Sequence, residues 1–173
     1  EILSHMRPPM KLPKPIANTP GFYQLEAKIG RGQQNVPYLV QLPPEYDPYR
    51  RYPTIVSLHS RDTSPGHQID WWAGVTDDAG RRTGQAARHG YIVIAPGWAQ
   101  PRQSKYQFTA REHAAVLKSL RDASRRLSID NDRVFLSGHG SGGDAAWDIG
   151  LAHPDTWAGV IPIVATADHA QYS

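Results

Sequence analysis

At 173 residues and 19.2 kDa the chain has the size of one ordinary domain, with 39% hydrophobic residues to build a core and 20% charged residues, too few for a disordered chain. Nineteen Lys and Arg against sixteen Asp and Glu leave a net charge of +3, and the basic pairs Arg50–Arg51, Arg81–Arg82 and Arg125–Arg126 are scattered, which argues for a solvated surface and against a nucleic-acid partner. There is no cysteine, so disulfides, thiolate metal sites and a cysteine nucleophile are excluded; the longest apolar runs, such as Tyr91 to Pro96, have the length of a strand and not of a membrane-spanning helix.

The first twenty residues carry Pro8, Pro9, Pro13, Pro15 and Pro20 and read as an extended arm or linker, with the folded domain expected over residues 21–173. The stretch from Glu1 to Pro20 lacks the apolar run of a secretory signal and does not start with methionine. It reads as cut from a longer chain or exposed by processing, and the expected compartment is the cytoplasm.

From Gly21 the pattern becomes that of strands. Phe22 to Ile29 and Asn35 to Leu42 mix β-branched, aromatic and polar residues around a turn that contains Gly30 and Gly32, an expected antiparallel pair. Tyr52 to His59, Tyr91 to Ala95, Arg133 to Ser137 and Ala158 to Val164 are short apolar runs of the kind buried on both faces of a sheet. Helices are expected over Gly80 to His89, ended by Gly90, over Ala110 to Leu127, and over Gly142 to Ala152. The second opens with Thr109 and Glu112 in capping-box spacing, and Ala114, Leu117, Leu120, Ala123 and Leu127 fall near helical period as its apolar face. Strands alternating with helices predict an α/β class: a mainly parallel sheet with helices on both faces.

The densest signal is Ser137-Gly138-His139-Gly140-Ser141-Gly142-Gly143, directly after a strand and before a helix. Gly138, Gly140 and Gly143 satisfy the dinucleotide pattern, with Asp168 as a ribose-binding acid. That acid lies 30 residues on, and the motif sits late in the strand series instead of on its first strand. The second reading is a nucleophile elbow, a strained strand-to-helix turn with small residues two before and two after its centre. Centring on Ser141 puts the bulky His139 at a small position; centring on Gly140 puts Gly138 and Gly142 there and fits better. The third reading is a glycine-rich turn that only lets the helix pack on the strand.

The stretch Arg133 to Pro162, RVFLSGHGSGGDAAWDIGLAHPDTWAGVIP, resembles the elbow region of bacterial α/β-hydrolase esterases of the polyhydroxybutyrate depolymerase and phospholipase/carboxylesterase type, where the turn reads G-H-S-x-G-G. Upstream, Tyr38 to Ser60, YLVQLPPEYDPYRRYPTIVSLHS, looks like the segment that ends in L-H-G at the oxyanion loop of that family. The resemblance covers residues 36–165 and implies the α/β-hydrolase fold, with its C-terminal strands missing from this chain. It implies further that the nucleophile position falls on Gly140, one oxyanion donor on the Ser141 N–H, and the second on the loop around Ser60 and Arg61.

Three departures follow. Gly140 stands where the family has its attacking serine, which removes covalent catalysis and relieves an elbow strain on the order of 1–3 kcal/mol. Ser60 stands where the family has glycine, restricting the oxyanion loop. The triad acid and histidine should follow the nucleophile on later loops, yet Asp168 and His169 are adjacent in sequence and poorly placed to pair, and His153 and Asp155 read as the end of a helix. The strand Ala158 to Val164 should then be a sheet edge, covered by the remainder of the chain or by a protein partner.

No cofactor is implied, and His5, His59, His67, His89 and His113 show no metal-ligand spacing. Trp71 and Trp72, in the loop after the oxyanion segment, and Trp98, after the next strand, are candidates for the wall of a substrate pocket or for core packing. The sequence therefore points to a carboxylic-ester hydrolase-like domain, inactive as written, that could take a small acyl-ester-like ligand. The alternatives are a pseudoenzyme used for binding or assembly and, behind it, a dinucleotide-binding module.

Overall fold

The computed structural model describes residues 12–16, 19–30, 32 and 34–166. Six strands form one sheet: β1 (Phe22–Ala27), β2 (Val36–Gln41), β3 (Tyr52–Leu58), β4 (Ile92–Pro96), β5 (Ile129–His139) and β6 (Gly159–Ile163). Their spatial order is β1-β2-β4-β3-β5-β6, with β1, β2 and β4 antiparallel to their neighbours in turn and β4, β3, β5 and β6 parallel. The sheet is thus parallel where the sequence showed continuous apolar runs; β3 and β4 are buried along their whole length.

Among the described residues four helices flank it: α1 (Pro65–Ala73), α2 (Gln85–Arg88), α3 (Ala110–Arg126) and α4 (Ser141–Ala152). Val56, Ile94 and Leu136 belong to a core shared with Ala115 and Val116 of α3 and Ala145, Ala146 and Ile149 of α4. Val93 and Ala95, the alternate residues of β4, join Ile69 and Ala73 of α1 and Ala86 of α2 in a second core. The period-2 alternation of strands therefore separates two faces, each with its own helices.

Three expectations are corrected. Trp71 and Trp72 lie on a helix, α1, and not in a loop; Pro65 at its first turn and the Ser64–His67 capping pair start it. Residues 80–84 are not helical, because Asp77 accepts bonds from Ala79 and Arg81 N–H groups, Thr76 bridges to Arg82, and only Gln85–Arg88 remain for α2. Of the expected face of α3, Leu120, Ala123 and Leu127 are buried, but Ala114 and Leu117 are only half-buried and Glu112, Ala115, Val116 and Ser119 are buried in their place. Glu112 is drawn inside because its carboxylate serves as the cap: it accepts from the N–H groups of Gln107 (3.0 Å) and Thr109 (2.8 Å) and from the Thr109 hydroxyl (2.7 Å).

Of the proline-rich arm, residues 12–16, 19 and 20 are described, and they lie on the domain: Thr19 is buried, Leu12 packs on the core, and the Gln41 side chain donates to the Pro20 carbonyl at 3.1 Å. Asp168 and His169 lie outside the described residues. Among the described residues no helix is long and apolar enough to cross a membrane.

Candidate active site

β5 ends at His139 and α4 begins at Ser141, so the chain reverses through Gly140 alone. Its dihedrals, φ 52° and ψ −120°, lie in a region that side chains rarely tolerate. The Gly140 N–H is fixed to the Ile163 carbonyl of β6 at 2.9 Å, and its own carbonyl accepts from Gly143 and Asp144 at 2.8 and 3.0 Å, which starts the helix. Both flanking glycines are required for close approach. A Cβ on Gly138 would lie 2.0 Å from the Gly142 carbonyl oxygen, and one on Gly142 would lie 2.3 Å from that of Leu58. The strained centre is residue 140, not Ser141, and the small positions are 138 and 142. Packing accounts for the glycine spacing without a phosphate.

Opposite the turn, the loop after β3 approaches the start of α4. The Ser60 N–H donates to Thr63 Oγ1 at 3.0 Å, the Ser60 carbonyl accepts from the Thr63 N–H at 3.1 Å, and the Arg61 N–H donates to Ser141 Oγ at 3.1 Å. The two N–H groups expected to supply the second oxyanion donor are therefore both engaged by hydroxyls of the chain itself. His59 supports the loop from below. Its Nδ1–H donates to the Ser60 carbonyl (2.9 Å), its carbonyl accepts from the Trp98 indole N–H (3.1 Å), and burial holds the imidazole below its ordinary pKa, against the bonds to Ser60 and Thr63.

Gly140, Ser141, Ser60 and Arg61 come together at a cleft of about 480 Å³, whose far wall is Tyr106 and Phe108 and whose rim carries Lys105 and Asp144. Among the described residues no histidine lines it. The wall is fixed by a cluster with no signal in the sequence. Tyr106 donates to Asp148 Oδ2 (2.5 Å), His113 Nε2 lies 2.9 Å from the same oxygen, and His113 Nδ1 meets His153 Nε2 at 3.2 Å. His153 also caps the end of α4, as its position suggested.

The three tryptophans are elsewhere. Trp98 is 1% exposed in the core, held by His59, and does not line the cleft. Trp71 is exposed and stands edge-on to His139, with ring centroids 4.6 Å apart. Trp72 lines a separate apolar trough on the α1 face, with Ile55, Ala86, Tyr91, Phe135 and Ile161. Beside the trough runs a polar strip: the Trp72 indole N–H donates to Ser57 Oγ (3.0 Å), Ser57 donates to Gln68 Oε1 (2.7 Å), and that oxygen also accepts from His139 Nδ1 (3.1 Å). His139 thus faces α1 and not the cleft. Its Nε2 is buried with no hydrogen-bond partner among the described residues, and burial lowers its pKa.

No protein-family model matches the chain, and no curated protein matches its sequence. Solved structures do match in shape. A thermostable esterase superposes with a TM-score of 0.68 at 23% identity, covering 88% of this chain and 43% of that one. S-formylglutathione hydrolase from Staphylococcus aureus gives 0.65 at 16% identity, covering 87% and 59%, and an acetyl xylan esterase from Aspergillus awamori 0.61 at 15%, covering 82% and 53%. The fold is that of the α/β hydrolases, and the chain spans about half the length of these solved hydrolases.

Proposed function

We propose that this is a carboxylic-ester hydrolase-like domain whose elbow has lost its nucleophile, so that it holds a small acyl-ester-like ligand at the cleft without serine catalysis. The observation that carries the reading is Gly140: the elbow conformation is kept, with Gly138 and Gly142 packed as such a turn needs, and the residue at its centre has no side chain to attack with. Ser141 and Ser60 are then ligand-contacting hydroxyls, and a carbonyl oxygen entering the cleft competes with Ser141 Oγ for the Arg61 N–H. Incubation with a p-nitrophenyl acyl ester is expected to give no turnover above a heat-denatured control; saturable turnover by this chain overturns the reading.

A second reading, assembly through the sheet edge, is favoured by a separate observation. Among the described strands β6 pairs only with β5, and Ile161 on it is 39% exposed beside the apolar trough. The occupant would be further polypeptide of the same protein or a protein partner. Sedimentation of the chain as a monomer at all concentrations, together with no gain in melting temperature from any added segment, removes that support.

A further inference from the structure

We propose that Ser60 and Gly140 form an interlocked pair, in which the Ser60 side chain fills the space into which a side chain at position 140 would project. A Cβ built on Gly140 would lie 2.7 Å from Ser60 Oγ and 3.4 Å from Ser60 Cβ, and among the described residues no other atom outside its own neighbours is within 4 Å. The first distance is well inside van der Waals contact, and the second is ordinary contact. The obstruction is therefore the hydroxyl of Ser60, not the backbone of its loop.

The loop cannot yield cheaply. Thr63 holds Ser60 at both its N–H and its carbonyl, and Arg61 is tied across to Ser141 on α4. Relief has to come from turning the Ser60 side chain out of its place. Elsewhere the chain supplies the contrast: Gly90 also has positive φ, +72°, but a Cβ there would meet nothing within 4 Å. A side chain at 90 feels only the backbone, whereas one at 140 feels the backbone and Ser60.

The two departures noted in the sequence, serine in the oxyanion loop and glycine at the elbow, are then one structural fact. The hydroxyl at the mouth of the elbow is supplied from the β3 loop, and a side chain restored at 140 has to displace it unless residue 60 is smaller. This inference rests on the contact geometry alone and stands or falls independently of whether the cleft binds an ester.

The test is a set of thermal melts of the full chain carrying Gly140→Ala in three backgrounds, Ser60, Ser60→Ala and Ser60→Gly, with Gly90→Ala in the same backgrounds as the control. Gly140→Ala is expected to lower the melting temperature more in the Ser60 chain than in the other two, by roughly 2–4 °C, the scale of one contact in a domain of this size. Gly90→Ala should lower all three equally. If Gly140→Ala does not fold with Ser60, circular dichroism should show a folded chain once residue 60 is Ala or Gly, the same result in larger form. Equal lowering in every background overturns the proposal, as does failure to fold in all three. Recovery with Ser60→Gly but not Ser60→Ala also overturns it, because loop flexibility and not the hydroxyl would then be the cause.

Discussion

The two faces of the sheet are finished to different degrees. On one, α3 and α4 close over Val56, Ile94 and Leu136, and Ile149 of α4 is fully buried there. On the other, α1 and the single turn of α2 cover Val93 and Ala95 but leave a trough over Ile55, Phe135 and Ile161, with the polar strip Trp72–Ser57–Gln68–His139 beside it. The closed face is where stability resides, and its contacts hold the elbow; the open face is where something can still be added. The alternation of side chains thus gives one sheet a covered face and a partly open one.

Breaking the closed face should cost the most. Gly138→Ala places a methyl against the carbonyl of Gly142, with backbone on both sides and nothing flexible to move. It is expected to destabilise by on the order of 4 kcal/mol, or to abolish a cooperative melt. Ile149→Ala, at a site with no exposure, should cost about 2–5 kcal/mol in urea denaturation. The counterpart on the open face is Ile161→Ser, expected to change stability by less than about 0.5 kcal/mol because the side chain is already more than a third exposed. A large loss at Ile161 and a small one at Ile149 would invert the comparison.

These contrasts also explain what the sequence could and could not reveal. Continuous apolar runs with no competing pattern marked β3, β4 and β6, and the capping pair Thr109 and Glu112 marked the start of α3, because local chemistry decides both. The elbow was legible for the same reason: glycine spacing reports close backbone approach, and Gly138 and Gly142 are where it occurs. Helix α1 was missed because its signal, Ser64 with Pro65, is short and its sequence, PGHQIDWWA, buries only Gln68, Ile69 and Ala73. The Tyr106–His113–Asp148–His153 cluster was invisible, because its members come from three segments up to 47 positions apart and only the folded chain brings them together. Trp98 stayed open between pocket wall and core because indole burial and indole exposure leave the same mark in a sequence; its burial and its hydrogen bond to the His59 carbonyl place it in the core.

An intermediate effect is expected where the closed face meets the cleft. Tyr106→Phe removes the hydroxyl bonded to Asp148 but leaves the ring against Trp98 and Phe108. That hydroxyl also lies 2.9 Å from His113 Nε2, and Asp148 keeps His113, so the loss should be about 2 kcal/mol, within the range for a hydrogen bond to a charged group. A loss as large as that at Ile149 would mean that the cluster, and not the apolar core, holds α3 to α4.

The smallest effect, and the one that probes the open face most specifically, is in pH. Burial lowers the pKa of His139, so the folded chain binds fewer protons at this site than the unfolded chain, whose imidazole titrates near 6.5. Its contribution to stability is complete above that pH and declines as the pH falls from there through the lowered folded value. His59, buried in the β3 loop, acts in the same direction, so the slope in the parent chain is a sum. Trp71 separates the two: it shields His139 edge-on and makes no ring contact with His59, whose ring partner is Trp98. In Trp71→Ala, water reaches the His139 imidazole and its Nε2 gains a solvent partner, so the charged form is no longer penalised. Urea midpoints measured from pH 7.5 down to about 5 should then fall less steeply than in the parent. An unchanged slope would place the pH dependence at His59, beside the closed-face core, and not at His139.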